Sequence, residues 1–547
     1  AALTTPGLLL DQGGNAWLLR ANMVVKDTAR LEATSVSIAR LRLDSAASFV
    51  TIYAEGGHVL IQNIAVTSWN TAAGTIDTNY ADGRAYMVAH DGGRMDIIGS
   101  EVAYLGWADG EPSGVSWHGR ATAARPETGA TGSITGSNIH HNYFGLYSYE
   151  AYGLVAKNSQ FHDNIVYGFD PHDRSTKFEV AFNKVYNNGK HGIIFSRGCQ
   201  DNSIHDNQVY NNVEHGIMLD RGSNNNRIAN NLVYGNADGL AIFQSSNNLI
   251  ENNTLRENER GARINATYDA TDIFDSISTG NTLRNNTIAD NSQYGVYLYE
   301  RADRNTLEAN QISGNTSAGV YLKTGGNQVL RNTIVGNGTG VSIVGGSLSP
   351  FPPGGPTPTP ALEQPGRNNQ IIGNTIEDND ASGIQIKTGV NTTIGGLQPG
   401  AGNQIKTNGT YGITLNTATT DTQIAGNTIQ ANGVDGVLLK GADSVRNQIT
   451  RNSISANAGQ GIKLSEGANG GIAAPAVTSA PNATTITGTA PANATIEVYR
   501  DINGQGRVYK GQTMAAANGN WSFALPSGDD PAQGGITALA IAANGNT

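Results

Sequence analysis

The sequence predicts an all-β protein, a right-handed parallel β-helix (solenoid) followed by a small immunoglobulin-like β-sandwich module. Two observations support this prediction: a short sequence motif that contains a glycine recurs along the chain, and apolar residues occupy the same positions in each copy. Composition agrees, because 69 glycines and a charged fraction of only 15% suit many short strands joined by tight turns better than long surface helices.

The repeat consists of an apolar pair, Asn-rich residues and a glycine that opens a strand-like run. Its first clear copies are spaced by 23, 24, 24, 23 and 22 residues. A fixed period in the twenties is typical of a solenoid in which each repeat forms one coil. The aligned glycines are Gly145, Gly168, Gly192, Gly216, Gly239, Gly261, Gly295, Gly319, Gly340, Gly383, Gly412, Gly436 and Gly461.

Strand alternation separates an inward from an outward set of positions, because successive side chains of a strand point to opposite faces. The first and third positions after the glycine are apolar, as in Ile193 and Phe195, and are predicted to stack inside. Helical spacing would scatter them, so a parallel β-coil is the better account. The Asn residues before each glycine, such as Asn187 and Asn188, are predicted to stack at the coil corners.

Two changes in the sequence pattern suggest the domain organisation. A proline-rich stretch within about residues 346–367 interrupts the period and is predicted to be an extruded loop. Residues 1–470 are therefore predicted to form the catalytic solenoid, and short alternating strands in 475–547 to form the sandwich module, expected to be incomplete after Thr547.

Charge, cysteine content and hydropathy exclude several classes of protein. A net charge of −10 argues against a nucleic-acid partner, since phosphates are bound by basic domains. The single Cys199 cannot form an intrachain disulfide and is expected to be an inert buried thiol. No apolar run reaches the length of a membrane span. We expect a secreted or periplasmic monomer whose signal peptide has been removed.

The outward positions carry a mixed constellation within roughly five coils. Two, four and five residues after the glycine stand aromatic, acidic, basic and histidine side chains, and such mixtures recur at catalytic sites. Any one of these residues could simply belong to a solvent-exposed face without a function. Their occurrence together favours a functional site. The group comprises Tyr147, Tyr149, Glu150, Asp170, His172, Asp173, Arg197, Asp220, Arg221 and Arg263.

The segment from Tyr167 to Asp173, Tyr-Gly-Phe-Asp-Pro-His-Asp, resembles the signature of the periplasmic mannuronan C5-epimerase family of alginate biosynthesis. The resemblance continues through residues 191–197 and 216–221, extends upstream to 17–22 and 101–106, and covers about residues 15–300. It implies C5 epimerisation of β-D-mannuronate to α-L-guluronate within polymannuronate, an anionic polysaccharide. It also implies that His172 is the catalytic histidine.

The reaction demands an acid, a base and a neutralised carboxylate. Removing the proton at C5 would create a dianion unless a cation meets the carboxylate, and the planar fork of Arg197 suits that role. His172 is the predicted general base because its ordinary pKa lies near neutrality. Asp170 and Asp173 are predicted to orient His172, and Tyr167 to supply the proton on the opposite face.

Further residues are predicted to bind neighbouring sugars. Arginines and lysines suit uronate carboxylates, and tyrosines can stack on sugar faces. The predicted substrate-binding residues are Tyr147, Tyr149, Glu150, Lys190, His191, Asp220, Arg221 and Arg263.

Three alternatives remain open at the level of sequence. An alginate lyase would begin with the same proton abstraction and then break the glycosidic bond, and a polysaccharide-binding solenoid would perform no chemistry. Calcium-assisted pectate cleavage would group Asp170, Asp173 and Asp220 as oxygen ligands. The secreted calcium-dependent relatives carry Gly-rich nonapeptide repeats, which this chain lacks, so no metal and no cofactor, calcium included, is expected to be required.

Overall fold

The computed structural model describes residues 7–108, 113–119, 129–267, 277–347, 363–480 and 483–547. The proline-rich stretch falls mostly between 348 and 362, outside the described residues. The chain divides into two units: unit 1 comprises 1–263 and 271–281, and unit 2 comprises 264–270 and 282–547. The predicted parallel β-solenoid is confirmed in both units.

Each coil of unit 1 contributes one strand to each of three parallel faces. Face 1 contains Met23–Lys26, Thr51–Glu55, Tyr86–His90, Gly114–His118, Phe144–Tyr149, Asp170–His172, Ile193–Ser196, His215–Asp220, Asp238–Phe243 and the start of Arg260–Asn265. Face 2 contains Arg30–Thr34, His58–Gln62, Arg94–Ile98, Thr131–Thr135, Val155–Lys157, Glu179–Ala181, Ser203–His205, Arg227–Ala229 and Leu249–Glu251. Face 3 contains Ala16–Leu19, Arg40–Asp44, Ala65–Asn70, Glu101–Ala103, Asn138–His140, Gln160–His162, Lys184–Tyr186, Gln208–Tyr210, Leu232–Tyr234 and Thr254–Arg256. Leu9–Asp11 and Thr75–Ile76 add antiparallel partners at Ala16–Leu19 and Ala65–Asn70.

The predicted inward positions on face 1 are confirmed, whereas several of the predicted outward positions, such as Asp170 and Met218, are buried as well. Ile193 pairs with Ile217 and Phe195 with Leu219, and all four side chains are fully buried. Burying one such aliphatic or aromatic side chain contributes roughly 1.5–3 kcal/mol, and the stacked interior repeats that contribution coil after coil.

The repeat glycine is required by the close approach of neighbouring coils. A Cβ on Gly192 would lie 2.7 Å from the carbonyl oxygen of Gly216 and 2.8 Å from Nδ2 of Asn212. Both distances are shorter than van der Waals contact, so any side chain there would separate the coils.

Asparagine ladders run along the coil corners of unit 1. Asn188 Nδ2 donates to Asn212 Oδ1 (2.9 Å), and Asn212 Nδ2 donates to Asn236 Oδ1 (3.1 Å). A second ladder joins Asn183, Asn207 and Asn231 by the same bonds. Since a buried unpaired amide is costly, these ladders fix the register between coils. Asn187 instead supplies a turn, with φ at +56°.

Unit 2 repeats the three-faced coil. Its face 1 contains Tyr294–Tyr299, Ala318–Lys323, Val341–Val344, Ile384–Lys387, Ile413–Asn416, Val437–Lys440 and Ile462–Ser465. Face 2 contains Thr282–Arg284, Thr306–Glu308, Gln328–Leu330, Gln370–Ile372, Thr393–Gly395, Gln423–Ala425 and Gln448–Thr450. Face 3 contains Thr287–Ala289, Gln311–Ser313, Thr333–Val335, Thr375–Glu377, Gln404–Lys406, Thr428–Gln430 and Ser453–Ser455.

The end of unit 2 consists of two small antiparallel sheets after a 3-10 turn at Ala468–Gly471. They contain Ala476–Val477, Thr485–Thr489 and Asn520–Ala524, and Thr495–Asp501, Val508–Met514 and Gly535–Ile541, with a 3-10 turn at Pro531–Gln533. The assignment of this module as immunoglobulin-like, and the boundary before it, stay predictions.

The terminal module closes the last coil of the solenoid. Gln505 Oε1 accepts hydrogen bonds from the backbone N–H (2.9 Å) and Nδ2 (3.1 Å) of Asn457, in the place that the next ladder asparagine would take. Glu497 accepts from the Thr450 hydroxyl (2.5 Å) and the Arg451 N–H (3.0 Å). The module therefore satisfies the open edge that a repeat array must cap.

Cys199 is fully buried and burial raises the pKa of its thiol, as expected for an inert cysteine. In the part of the chain that the structure describes, no helix is long and apolar enough to cross a membrane.

Candidate active site

Two columns of side chains on face 1 of unit 1 bring most of the predicted residues together. The inter-strand register pairs Tyr147 with Asp170 and Tyr149 with His172. Two coils on, it pairs Ser196 with Asp220. Neighbouring strands lie ~4.8 Å apart, so these residues form continuous rows across successive coils.

His172 is held by the carboxylate that follows it. Its Nδ1 lies 2.8 Å from Asp173 Oδ2, and the two side chains are 26% and 34% exposed. This hydrogen bond is the main reason why the pKa of Asp173 is lowered, so Asp173 stays ionised and accepts the Nδ1 proton. Nε2, which no described residue hydrogen-bonds, is the nitrogen left to act as a base.

Asp170 occupies a different environment from Asp173. It is only 2% exposed, and its Oδ1 has no hydrogen-bond partner among the described residues. Burial raises its pKa to about 7, with His172 opposing the rise and Asp173 and Asp220 adding to it. Asp173, and not Asp170, hydrogen-bonds the imidazole, and Asp170 can carry a proton near neutral pH.

Arg197 stands at the turn that ends the strand Ile193–Ser196, with φ at +61°. Its N–H donates to the carbonyl of Asp220 (3.0 Å), and its own carbonyl accepts from the N–H of Arg174 (2.8 Å). Its charge contributes to the lowered pKa of Asp173. The buried Nε lacks a hydrogen-bond partner among the described residues, which leaves donor capacity for an anionic group.

Tyr167 belongs to an aromatic stack at the corner before face 1. Its ring lies 5.2 Å from that of Phe144 and 5.0 Å from that of His191, and His191 stacks on His215 at 4.8 Å. Burial raises the pKa of Tyr167 to about 12 and lowers that of His191 to about 3. Tyr167 is therefore protonated and His191 neutral at physiological pH.

Three predicted substrate-binding residues lie on the coil before His172. The Tyr147 ring is 6.0 Å from the His172 ring, and burial raises its pKa. Tyr149 pairs with His172 across the strands. Glu150 forms an ion pair with Arg174, so it shapes the turn beside the site.

The remaining predicted residues lie further along the solenoid. Asp220 accepts from the Ser196 hydroxyl (3.0 Å) and approaches Arg221 Nε (3.4 Å). Arg263 lies over the Phe243 ring at 4.8 Å, four coils and so roughly 19 Å from Asp170. Lys190 is exposed. Between the coil of Asp170 and that of Arg263 lies a short apolar strip, which is formed by Ile194, Met218 and Ala241.

Sequence reasoning missed His118. It pairs with Tyr149 in the column that leads to His172, and its ring lies 4.7 Å from the Tyr149 ring. Burial lowers its pKa to about 3, and its Nε2 has no hydrogen-bond partner among the described residues. The signal was present, because His118 stands four residues after Gly114, but the 31-residue gap from Gly114 to Gly145 hid the repeat.

One group in the described part of the chain has donors close enough together for a metal ion: His191, Glu214 and His215. His191 Nε2 lies 3.4 Å from Glu214 Oε2. The two imidazoles are stacked within 3° of parallel, so their in-plane lone pairs do not converge. The group is better described as a corner of stacked imidazoles beside a carboxylate than as a metal site.

Comparison with known proteins identifies the family of this chain. The family model described as right-handed beta helix region matches residues 113–273, 238–351 and 360–482, more than half of the chain. The chain belongs to this right-handed β-helix family.

Two proteins of similar sequence share the name mannuronan C5-epimerase. A mannuronan C5-epimerase of Pseudomonas putida is 32% identical over 277 residues, which is 49% of this chain and 52% of that protein. Mannuronan C5-epimerase AlgG of Azotobacter vinelandii is 41% identical over 209 residues, 36% of this chain and 39% of that protein. The chain thus spans about half or less of these relatives. The crystal structure of the periplasmic alginate epimerase AlgG matches with a TM-score of 0.51 and 29% identity, covering 57% of this chain and 76% of that one.

Proposed function

We propose that this β-helix protein is a mannuronan C5-epimerase, which inverts β-D-mannuronate to α-L-guluronate within polymannuronate. The observation that carries the proposal is the hydrogen-bonded pair of His172 and Asp173 (2.8 Å). Beside it lie the buried carboxyl group of Asp170, which can be protonated, and the Nε–H group of Arg197, which has no hydrogen-bond partner among the described residues. The relatives named mannuronan C5-epimerase support the same reaction.

Neutralisation of the substrate carboxylate is the first requirement. Arg197 offers a fixed cation with a buried unpaired Nε–H, and Asp170, with its pKa near 7, offers a carboxylic O–H. Donors held in place before the reaction stabilise the charge that develops on the carboxylate as C5 loses its proton. Asp170 thereby takes a part in the reaction in addition to shaping the turn.

Proton transfer follows from the orientation of His172. Asp173 keeps the proton on Nδ1, so Nε2 takes the C5 proton and the resulting imidazolium is stabilised by the ionised Asp173. Tyr167, protonated at neutral pH, returns a proton to the opposite face, directly or through a water. Solvent then restores both residues to their starting states.

The lyase alternative differs in the fate of the second proton. A lyase protonates the glycosidic oxygen and leaves an unsaturated sugar, whereas an epimerase reprotonates C5. The names of the relatives favour the epimerase.

The test is incubation with polymannuronate in deuterated water. Guluronate read by proton NMR, with deuterium at C5 and no rise in ultraviolet absorbance, is the result expected of an epimerase. Unsaturated ends would replace the proposal with a lyase, and an unchanged polymer that nevertheless binds would replace it with a binding protein.

The remaining parts of the proposal concern cofactor, location and assembly. We infer that catalysis needs no calcium, because carboxylate neutralisation is assigned to Arg197 and Asp170. Complete inactivation by a chelator, reversed by calcium, would contradict this. A monomer acting on alginate in the periplasm or outside the cell fits the relative named a periplasmic alginate epimerase.

A further inference from the structure

A tyrosine cluster lies on face 1 of unit 2, remote in sequence from the residues assigned to catalysis. Tyr297 stacks on Tyr321 across neighbouring strands, with ring centroids 5.1 Å apart and planes within 17°. Tyr294 and Tyr299 flank Tyr297 at 4.8 and 5.6 Å. All four rings are partly exposed, so they form an aromatic platform that remains accessible to solvent.

Lysines accompany the platform along the neighbouring column. The register aligns Tyr299 with Lys323, and then Val344 with Lys387 and Lys387 with Asn416. Two cations therefore stand two coils apart, roughly 10 Å, with the shorter Val344 between them. Lys323 Nζ lies 4.8 Å from the Tyr299 ring centroid, and Lys387 is exposed.

The charges of these two lysines are not neutralised within the described part of the protein. Neither has an ion pair to a described carboxylate, whereas the next lysine on the column, Lys440, is paired with Glu466 at 3.2 Å. Two uncompensated cations on a chain of net charge −10 mark a local surface suited to anions.

We propose that this surface, defined by Tyr297, Tyr321, Lys323 and Lys387, is a second binding site for an anionic polysaccharide. Tyr321 ends the stack, because its register partner on the next coil is Ser342, so its outer ring face can contact the apolar C–H face of a pyranose ring. Lysines two coils apart meet carboxylates carried along the same side of an extended chain. The choice of polyuronate rests on the proposed function, whereas the existence of the site does not. Burial raises the pKa of Tyr321, so its phenol is a hydrogen-bond donor at neutral pH.

The test counts binding sites on the full chain, with His172→Ala present to stop turnover during titration. Calorimetry with a short mannuronate oligomer should give two sites per chain. Tyr321→Ala and Lys387→Glu should each weaken one site by roughly three- to tenfold, as expected for loss of an aromatic contact or reversal of an exposed charge, and leave the other unchanged. Lys184→Glu, which reverses an exposed lysine on face 3 of unit 1, is the matched control and should change neither site.

The outcomes separate this inference from the proposed function. One site per chain, indifferent to Lys387→Glu, overturns the second site even if the His172-intact protein produces guluronate. Loss of one site on Lys387→Glu, in a protein that produces no guluronate, supports the second site and overturns the epimerase. Equal binding of a single-stranded oligonucleotide at the surface would show general anion binding and contradict the polysaccharide assignment. Circular dichroism establishes that each variant is folded, and Lys387→Glu, at an exposed position, keeps the test valid if Tyr321→Ala does not fold.

Discussion

Asp173 Oδ2 lies 2.8 Å from His172 Nδ1, and both Asp173 and the next residue, Arg174, have positive φ (35° and 58°). This tight turn directs the Asp173 carboxylate towards the imidazole ring of His172. The resulting hydrogen bond keeps the proton on Nδ1, so that Nε2 is the basic nitrogen.

Asp173→Asn tests this arrangement. An amide can still contact Nδ1, but it does not stabilise the imidazolium that forms when His172 takes a proton, so turnover should fall by ~10²-fold while polymer binding is retained. Kinetics and binding on polymannuronate measure the two effects. His172→Ala is the parallel variant, with a loss of ~10²-fold or more. Near-normal turnover in His172→Ala would show that the base has been misassigned, and Tyr167 would be the next residue to test.

Arg197→Lys separates charge from geometry. Lysine keeps the cation but loses the planar fork, so turnover should suffer more than affinity if the arginine stabilises the developing dianion. Michaelis constants and direct binding, measured with Arg221→Lys as the neighbouring control, check the split. A loss confined to binding would assign Arg197 to substrate capture alone.

The pKa of Asp170 predicts how its replacement alters stability with pH. The ordinary pKa of an aspartate is about 3.9 and the folded value is about 7, so between these pH values the folded chain holds a proton that the unfolded chain has lost. Stability therefore falls as pH rises through this window, by a few kcal/mol in total. Asp170→Asn has no such proton, and its melting temperature relative to the natural chain should rise from pH 4 to pH 8.

Melting temperatures of both proteins across that pH range provide the measurement. A difference that stays constant with pH would mean that Asp170 titrates normally in the folded chain. Activity should be lost in the same variant, because Asn offers no carboxylic proton to the substrate.

The asparagine ladders give a stability prediction that is independent of catalysis. Asn207 Nδ2 donates to Asn231 Oδ1 (2.9 Å) and to the Val180 carbonyl (2.9 Å), and its Oδ1 accepts from Asn183 Nδ2 (3.0 Å). Asn207→Ala leaves several buried groups unpaired and should destabilise the fold by roughly 2–4 kcal/mol. Gln208→Ala, at the adjacent exposed position, should change it by less than about 0.5 kcal/mol. Chemical denaturation compares the two, and equal effects would contradict the ladder's role.

Some of this architecture could be read from the sequence and some could not. The burial of Ile193 and Phe195 can be predicted because strand alternation is a local property of the sequence. Gly192 indicates the repeat because only glycine permits neighbouring coils to approach so closely. The pKa of Asp170 depends on burial by neighbouring coils, which no local pattern reveals. His118 was missed because the repeat is irregular before Gly145, and Gln505 because a residue from another fold completes the Asn457 ladder.

Removal of the terminal module is the last prediction. Residues assigned to catalysis and substrate binding lie between Tyr147 and Arg263, all in unit 1, so a chain ending near residue 474 should retain most of its turnover per folded molecule. It should nevertheless be less stable, because Asn457 loses Gln505, and Thr450 and Arg451 lose Glu497, which exposes unpaired edge groups that promote aggregation. Thermal melting and light scattering measure the second effect, and initial rates on polymannuronate the first. Gln505→Ala in the full chain is the matched control: it should reproduce part of the destabilisation and none of the activity change. Loss of most turnover in a truncated chain that remains folded would place part of the active site in the module.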